Sequence, residues 1–405
     1  MKIVQINQTA NLGSTGKIMF ELNDTIKSHG HEGYMVSAYS NGITSSSDLF
    51  CINSNPFWAI RKDLLISRIS GLNGYRYKKI TQSIIKWVSS KKPDIIHLHN
   101  IHGDWINLKA FFDYLKKSNI PVVWTLHDCW AFTGRCSHFE SCKCDKWMSE
   151  CCKCTNKSVY PVTYFFDKSS QMYNDKKEWF TSLDNMTIVT PSRWLANYVE
   201  KSFLSKYDIC VIPNGINTDI FHPQDRISQY YEKYNNKRII LGVASSWDNQ
   251  KGFNDFIKLD SIIDHKYYQI VMVGLNNRQI NMIPKTIKGI KRTNNQKELA
   301  ELYSGAKVFV NLTYQDNYPT TNIESQCCGT PCITYKTGGS PESILCPSNV
   351  INQGDIEAVH KRICEICDSK KNDLLLIERN KNDKMYCFEK YINLYSMIYE
   401  KHNSI

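Results

Sequence analysis

The order of apolar and polar positions predicts short buried strands alternating with amphipathic helices. KIVQIN is a largely apolar run suited to a strand covered on both faces. After the polar turn NLGSTG comes KIMFELNDTIKSHGH, in which Ile18, Met19, Leu22 and Ile26 recur at helical spacing and Gly30 is the stop. EGYMVSAYS, PDIIHLHN, PVVWTLHD, MTIVTPS and ICVIPNG repeat the strand type, several with helical patterns between them. Such alternation implies a doubly wound α/β domain on a parallel sheet. The segment TDIFHPQDR is polar and carries Pro223 without any sustained period, so a boundary is placed there. A second series follows, with RIILGVASS, IVMVG, KVFVN and PCITY as strands and FNDFIKLDSII, KELAELYSGA and NIESQCCG as helices. MYCFEKYINLYSMIYEKHN is a helix with aromatic residues on one face. The expected organisation is a first domain at 1–217, a second at 218–385, and a helix at 386–405 packing back on the first. Two such domains in tandem leave a cleft lined by the carboxyl ends of both sheets.

Composition narrows the class. The chain of 405 residues is too long for one ordinary core, and 42% hydrophobic with 22% charged residues excludes a disordered, collagenous or coiled-coil chain. No apolar run approaches the roughly 18 residues of a membrane span, and the start is too short and polar for a signal peptide. The expected location is cytoplasmic.

The net charge of +11 is unevenly placed: residues 1–206 hold 26 Lys and Arg against 17 acids. Residues 56–92 carry nine basic side chains (Arg61, Lys62, Arg68, Arg76, Lys78, Lys79, Lys86, Lys91 and Lys92) against Asp63 alone, interleaved with aromatic and aliphatic residues. That mixture suits a basic amphipathic surface on anionic lipid, and equally a core helix with a solvated basic face.

Sixteen cysteines are present, and seven (Cys129, Cys136, Cys142, Cys144, Cys151, Cys152 and Cys154) fall within 26 residues, in an insertion spanning 129–160. The other nine are scattered and read as core thiols. In a reducing compartment, clustered cysteines read as metal ligands or redox groups before disulfides. Cys136, Cys144, Cys151 and Cys154 are spaced C-x7-C-x6-C-x2-C, whose last part is the tight half of many structural zinc sites. Cys142 and Cys152 can exchange into the set. An iron–sulfur centre and unligated thiols stay open as alternatives. The segment has too few apolar residues for a core of its own, so a metal would supply its ordering energy.

The densest chemical signal lies in the second series, where Asp316-Asn-Tyr-Pro-Thr-Thr-Asn-Ile-Glu324 follows the strand KVFVN and enters a helix. Amides of Thr320, Thr321 and Asn322 then sit at a helix N-terminus, a ready place for phosphate. Two acids eight positions apart bracket the turn. The arrangement resembles the E-x7-E signature of glycosyltransferase family 4, with Asp316 where the family's first Glu stands and Glu324 matching the second. Other phrases agree in order: Gly13 and Gly16 in the first turn, PDIIHLHN, TLHD ending in His127 and Asp128, TPSRWLANYV, PNGINTDIFHP and GTPCITYKTGGSPE. Alone, NLGSTG would be a simple turn and His127 a satisfied structural histidine; the ordered agreement is what raises them.

The resemblance implies the GT-B fold, two Rossmann-like domains facing each other across a cleft, and a retaining transfer from a UDP- or GDP-linked sugar. It implies a saccharide or polyprenyl-linked acceptor, as in bacterial capsule or exopolysaccharide assembly, and the basic aromatic stretch at 56–92 puts the expected place of action at the inner face of the cytoplasmic membrane. It places Gly13 and Gly16 against the donor, Glu324 on the nucleotide ribose, Asp316 near the donor sugar, Lys251 on the diphosphate, and His127 against the sugar or acceptor hydroxyl. The Cys-rich insertion, directly after TLHD, is expected to cap the acceptor side. The family often has an Arg where this chain has Ser245, for which Arg278 or Arg292 is a candidate substitute. No two aspartates are two apart, so the D-x-D metal motif is missing and no catalytic divalent metal is expected. Two other readings are a nucleotide-sugar epimerase of the same fold and a zinc-stabilised nucleic-acid-binding protein. Against the latter, no reading module accompanies the charge, and the acids at 316 and 324 repel phosphate backbones.

Overall fold

The computed structural model describes residues 1–40, 45–53, 65–155, 157, 160–225, 228–234, 236–369 and 380–404. The part of the basic stretch at 54–64, including Arg61, Lys62 and Asp63, lies outside the described residues. The chain forms two compact units, Met1–Ile212 with Phe388–Ile405, and Pro213–Cys387.

The first unit is built from β1 (Lys2–Ala10), α1 (Gly13–Ser28), β2 (Glu32–Ser40), β3 (Leu49–Asn53), α2 (Lys78–Lys91), β4 (Ile95–Leu98), α3 (Leu108–Ser118), β5 (Val122–Thr125), α4 (Ser169–Phe180), β6 (Met186–Thr190), α5 (Arg193–Val199) and β7 (Asp208–Val211). Its seven strands run in the order β3-β2-β1-β4-β5-β6-β7, all parallel. Alternate residues of each strand bury into opposite layers. Val4, Ile6, Val36, Leu98 and Trp124 pack with Ile84 of α2, Phe111 of α3 and Phe180 of α4. Ile3, Ile95, Val123 and Val189 pack on the other face with Leu22 and Ile26 of α1, and with Phe388, Tyr391, Ile392 and Tyr395. Burial on both faces is why these strands read as apolar runs without alternation.

The second unit holds β8 (Arg238–Val243), α6 (Phe253–Ile262), β9 (Tyr268–Val273), α7 (Asn277–Met282), β10 (Lys288–Ile290), α8 (Gln296–Gly305), β11 (Val308–Asn311), α9 (Thr320–Cys327), β12 (Cys332–Tyr335), β13 (Val350–Ile351) and α10 (Ile356–Asp368). Six parallel strands run β10-β9-β8-β11-β12-β13. Phe256 and Leu259 of α6 and Val359 and Ile363 of α10 cover one face, and Leu302 and Tyr303 of α8 with Ile323 of α9 cover the other. Helix starts follow local chemistry: Asn107, Ser192, Asn295 and Asp355 side chains cap α3, α5, α8 and α10, and Asn276 with Gln279 forms a capping box on α7. A last helix, α11 (Lys384–Asn403), starts in the second unit and belongs to the first from Phe388 onward.

In each sheet the strand order reverses once, between β1 and β4 and between β8 and β11. Ligands of doubly wound sheets bind beyond the carboxyl ends of the strands at that reversal. Most of the sequence-selected residues fall at one of these two places. Of the nine cysteines outside the cluster, five are buried, while Cys51, Cys210, Cys346 and Cys364 are half-buried.

Candidate functional site

In the second unit the site is assembled from three connections. After β8, Asp248 accepts the Lys251 N–H at 2.9 Å and closes a single 3-10 turn over Asn249–Lys251. Gly252 ends that turn at φ +77°, and a Cβ there would lie 2.3 Å from the Leu312 carbonyl oxygen, so glycine is required for the turn to press against the β11 connection. The Lys251 Nζ then donates to Asp316 Oδ2 at 2.8 Å. Both partners keep access to solvent, at 38% and 22% side-chain exposure. The third connection holds Asp316 by its backbone: Gly338 at φ +52° lies against the Asp316 carbonyl, which also accepts the Gly339 N–H at 3.2 Å.

The helix α9 starts directly after Pro319, so Thr320 and Thr321 form its first turn. Asn322 is fully buried; it accepts from Asn311 at 2.7 Å, donates to Ser343 at 2.9 Å, and its N–H bonds to the Pro319 carbonyl. These bonds give Asn322 the task of positioning the turn. Glu324, one turn further on, accepts from the Tyr303 hydroxyl at 3.1 Å. Ser245 is exposed in the bend after β8, Arg278 is exposed on α7, and Arg292 is exposed just beyond β10. Among the described residues neither arginine forms an ion pair.

In the first unit, Asn11 (φ +52°) and Gly13 (φ +67°) shape the turn from β1 into α1, and Gly16 packs where a Cβ would meet Thr9 Oγ1 at 2.7 Å. The strand ends beside this turn carry a run of histidines. His97 bonds to Tyr395 OH at 2.6 Å and Thr125 Oγ1 at 2.8 Å, and His99 bonds to Gln5 at 3.2 Å and to His127 Nε2 at 3.2 Å. Burial pushes His97 down to about 3 and His127 down to about 4, the latter against the opposing charge of Asp128, so both rings are neutral near pH 7. Asp128 accepts from His102 Nε2 at 3.1 Å and from the Trp130 N–H at 2.8 Å. Burial raises its carboxyl, but His102 and the hydrogen bonds outweigh that and hold it below the ordinary range.

Residues 65–220 match the model of "Glycosyltransferase Family 4" and residues 223–383 that of "Glycosyl transferases group 1". The chain belongs to the family 4 glycosyltransferases. The chain is 24% identical over 231 residues to a putative colanic acid biosynthesis glycosyl transferase, WcaC, of Escherichia coli K12, covering 53% of this chain and 55% of the relative. The chain spans about half the length of the curated relatives it matches. Its fold is GT-B. It is similar to the sucrose-phosphate synthase of Thermosynechococcus elongatus (TM-score 0.73, 16% identity, 99% of each chain) and to HepE of Anabaena in complex with UDP and glucose (TM-score 0.65, 11% identity, 100% of each chain). Neither the epimerase nor the nucleic-acid reading is favoured by these likenesses.

Of the residues selected from sequence, the structure joins Lys251 to Asp316 and sets Thr320, Thr321, Asn322 and Glu324 on the following helix. Gly13, Gly16 and His127 fall in the other unit. Sequence reasoning missed His99, His102 and Gln5 as neighbours of His127 and Asp128. The available signal was three histidines within six positions, His97, His99 and His102, at the end of a strand. The cysteines Cys136, Cys144, Cys151, Cys152 and Cys154 line one small cavity. Among the described residues no group of three or more His, Cys, Asp or Glu side chains is placed to hold a metal ion.

Proposed function

We propose that this family 4 member is a retaining transferase. It moves a sugar from a UDP- or GDP-linked donor to a saccharide or polyprenyl-linked acceptor in surface polysaccharide assembly. The observation that carries the reading is the Lys251–Asp316 pair at the strand reversal of the second unit. It sets a cation for a diphosphate beside a carboxylate for sugar hydroxyls, next to the first-turn amides of α9. The names of the relatives support it: one is a colanic acid transferase, and HepE was solved with UDP and glucose.

In this reading the ammonium of Lys251 and the amides of Thr320 and Thr321 hold the diphosphate, and no catalytic divalent cation takes part. Preformed charge aimed at a leaving group is commonly the largest contribution to such reactions. Asp316 accepts from the donor sugar, and Glu324 accepts from the ribose. The acceptor oxygen forms its bond to the anomeric carbon on the face from which the diphosphate departs. The electron pair of the broken C–O bond goes to the phosphate oxygen, which receives the acceptor's proton. On the acceptor side, neutral His127 supplies one hydrogen bond to orient a hydroxyl, with Asp128 and His102 behind it.

The test is thermal stabilisation by UDP, GDP and their sugars. One nucleotide is expected to raise the melting temperature, and Glu324→Ala to abolish the rise while melting normally by itself. No shift with any nucleotide would remove the donor assignment.

The same reading gives the first unit a peripheral place on the cytoplasmic membrane. Leu65, Ile69, Tyr164, Phe165 and Phe166 are exposed by 44–68%. The two segments are joined, since the Tyr164 N–H donates to the Arg68 carbonyl at 2.9 Å and the Arg68 guanidinium reaches the Tyr164 hydroxyl at 3.3 Å. Aromatic and aliphatic side chains mixed with cations suit an anionic lipid interface. Among the described residues no helix is long and apolar enough to cross a membrane. In co-sedimentation, vesicles containing phosphatidylglycerol are expected to retain the protein at low salt, and Phe165→Ser/Phe166→Ser to release most of it. Equal retention on neutral phosphatidylcholine vesicles would contradict the electrostatic part.

A further inference from the structure

The Cys-rich insertion has little regular structure. Its described backbone includes three single 3-10 turns, Trp130–Phe132, Glu140–Cys142 and Lys146–Met148. Yet several of its thiols share one cavity. Cys136, Cys144, Cys151 and Cys154, with Cys152 beside them, line a cavity of about 30 Å³, enough for one ion or water and too small for a multi-iron cluster. The surrounding backbone is arranged around the sulfurs. The Gly134 N–H donates to Cys151 Sγ at 3.1 Å, and a Cβ at Gly134 would meet Cys151 Cβ at 2.7 Å and the Ser169 carbonyl at 2.5 Å. The C-x2-C turn is closed by Lys153 at φ +45°. It is braced by Lys146 Nζ on the carbonyls of Cys152 and Lys153 at 3.0 and 3.2 Å, and by the Cys154 N–H on Asp167 at 2.7 Å.

A second observation is independent of the thiol geometry. Lys176 of α4 is 1% exposed, and its Nζ donates to the Trp130 carbonyl at 2.5 Å and lies 4.1 Å from the centre of that indole ring. Among the described residues no carboxylate stands within ion-pair distance of it. An uncompensated buried ammonium costs several kcal/mol. Burial is the largest influence on this ammonium and pushes it down to about 7, against the pull of Cys151, Asp128 and Cys136.

We propose that Cys136, Cys144, Cys151 and Cys154 hold one structural zinc ion as a four-thiolate site. The buried amine of Lys176, when protonated, offsets one of the site's two net negative charges. Soft thiolates in a closed tetrahedral set select zinc over the hard divalent cations. Loading turns the thiols inward to Zn–S distances of about 2.3 Å, releases their protons, and ties 136–154 into one rigid knot. The knot acts on the sugar-handling end of the sheet through a short path. Lys176 fixes the Trp130 carbonyl, the Trp130 N–H holds Asp128, and Asp128 holds His102. The zinc is therefore a positioning device for the loop after β5, not a participant in transfer.

The test is elemental analysis of the full chain purified without chelators. About one zinc per chain is expected, as for a closed site, and fewer than about 0.2 would overturn the proposal. Cys151→Ser and Cys154→Ser are each expected to lose most of the metal, whereas Cys142→Ser, at a sulfur outside the set, keeps it; the reverse pattern overturns the ligand assignment. Should the ligand variants fail to fold, the cobalt-substituted wild type answers the same question by its tetrahedral thiolate absorption, and an octahedral spectrum overturns the site. Lys176→Met is expected to speed zinc loss to a chromogenic chelator about tenfold, in the range typical of lost outer-shell partners. An unchanged rate would dismiss the charge-balancing part.

Discussion

Lys251→Ala is expected to lower kcat/KM for sugar transfer by about 10²- to 10³-fold, the range seen when one preformed electrostatic donor is removed from a reacting centre. The fold should hardly notice. The Lys251–Asp316 pair is partly solvated, and such pairs contribute roughly 0–1 kcal/mol to stability. Steady-state kinetics with the donor found by the nucleotide screen, alongside a melting curve, separates the two effects. Lys251→Arg should recover part of the rate, since it restores the charge but not the compact ammonium. A loss smaller than tenfold in the alanine variant would mean that the diphosphate is held elsewhere, with Arg278 and Arg292 the next candidates.

The second large effect is expected at a residue with no chemistry. Gly338→Ala places a Cβ 1.8 Å from the Asp316 carbonyl oxygen at φ +52°. The left-handed conformation alone costs about 1–2 kcal/mol for a residue with a Cβ, and the clash is with backbone that cannot rotate away. Unfolding of the second unit by urea should show a loss of about 3 kcal/mol or more. Nucleotide binding should fall with it, because Asp316 must move. Gly13→Ala is the matched control: its φ is also positive, at +67°, but nothing lies within 4 Å of the added carbon. It should cost only the conformational part, about 1–2 kcal/mol. If the two alanines destabilise equally, crowding at Asp316 is not the cause.

Much of the architecture was legible because parallel strands buried on both faces appear as uninterrupted apolar runs. β3, β10 and β13 escaped: they are edge strands, β10 and β13 of only three and two residues, and too short to carry a period. The Lys251–Asp316 pair was legible through the order of motifs alone, since the two residues meet across 65 positions that no local pattern links. Asn322 is legible for its backbone amide at the start of α9; the burial of its side chain between Asn311 and Ser343 is not, because those partners lie 11 and 21 positions away. Spacing shows three of the histidines but not their partners, because Tyr391 and Tyr395, which bond to Thr125 and His97, come from the opposite end of the chain. The cysteine spacing suggested a metal, but the buried Lys176 that makes the charge argument is an ordinary-looking lysine in a helical pattern until its burial is known.

The helix α11 has a temporal consequence. The face of the first sheet formed by Ile3, Leu22, Val123 and Val189 is completed by Phe388, Tyr391, Ile392 and Tyr395, residues synthesised only after the entire second unit. During translation that greasy surface stays open, and His97 lacks its tyrosine, for the whole time the ribosome spends on residues 213–387. The first unit is thus the earlier to emerge and the later to be finished, which makes it the half of the nascent chain most in need of a chaperone's cover.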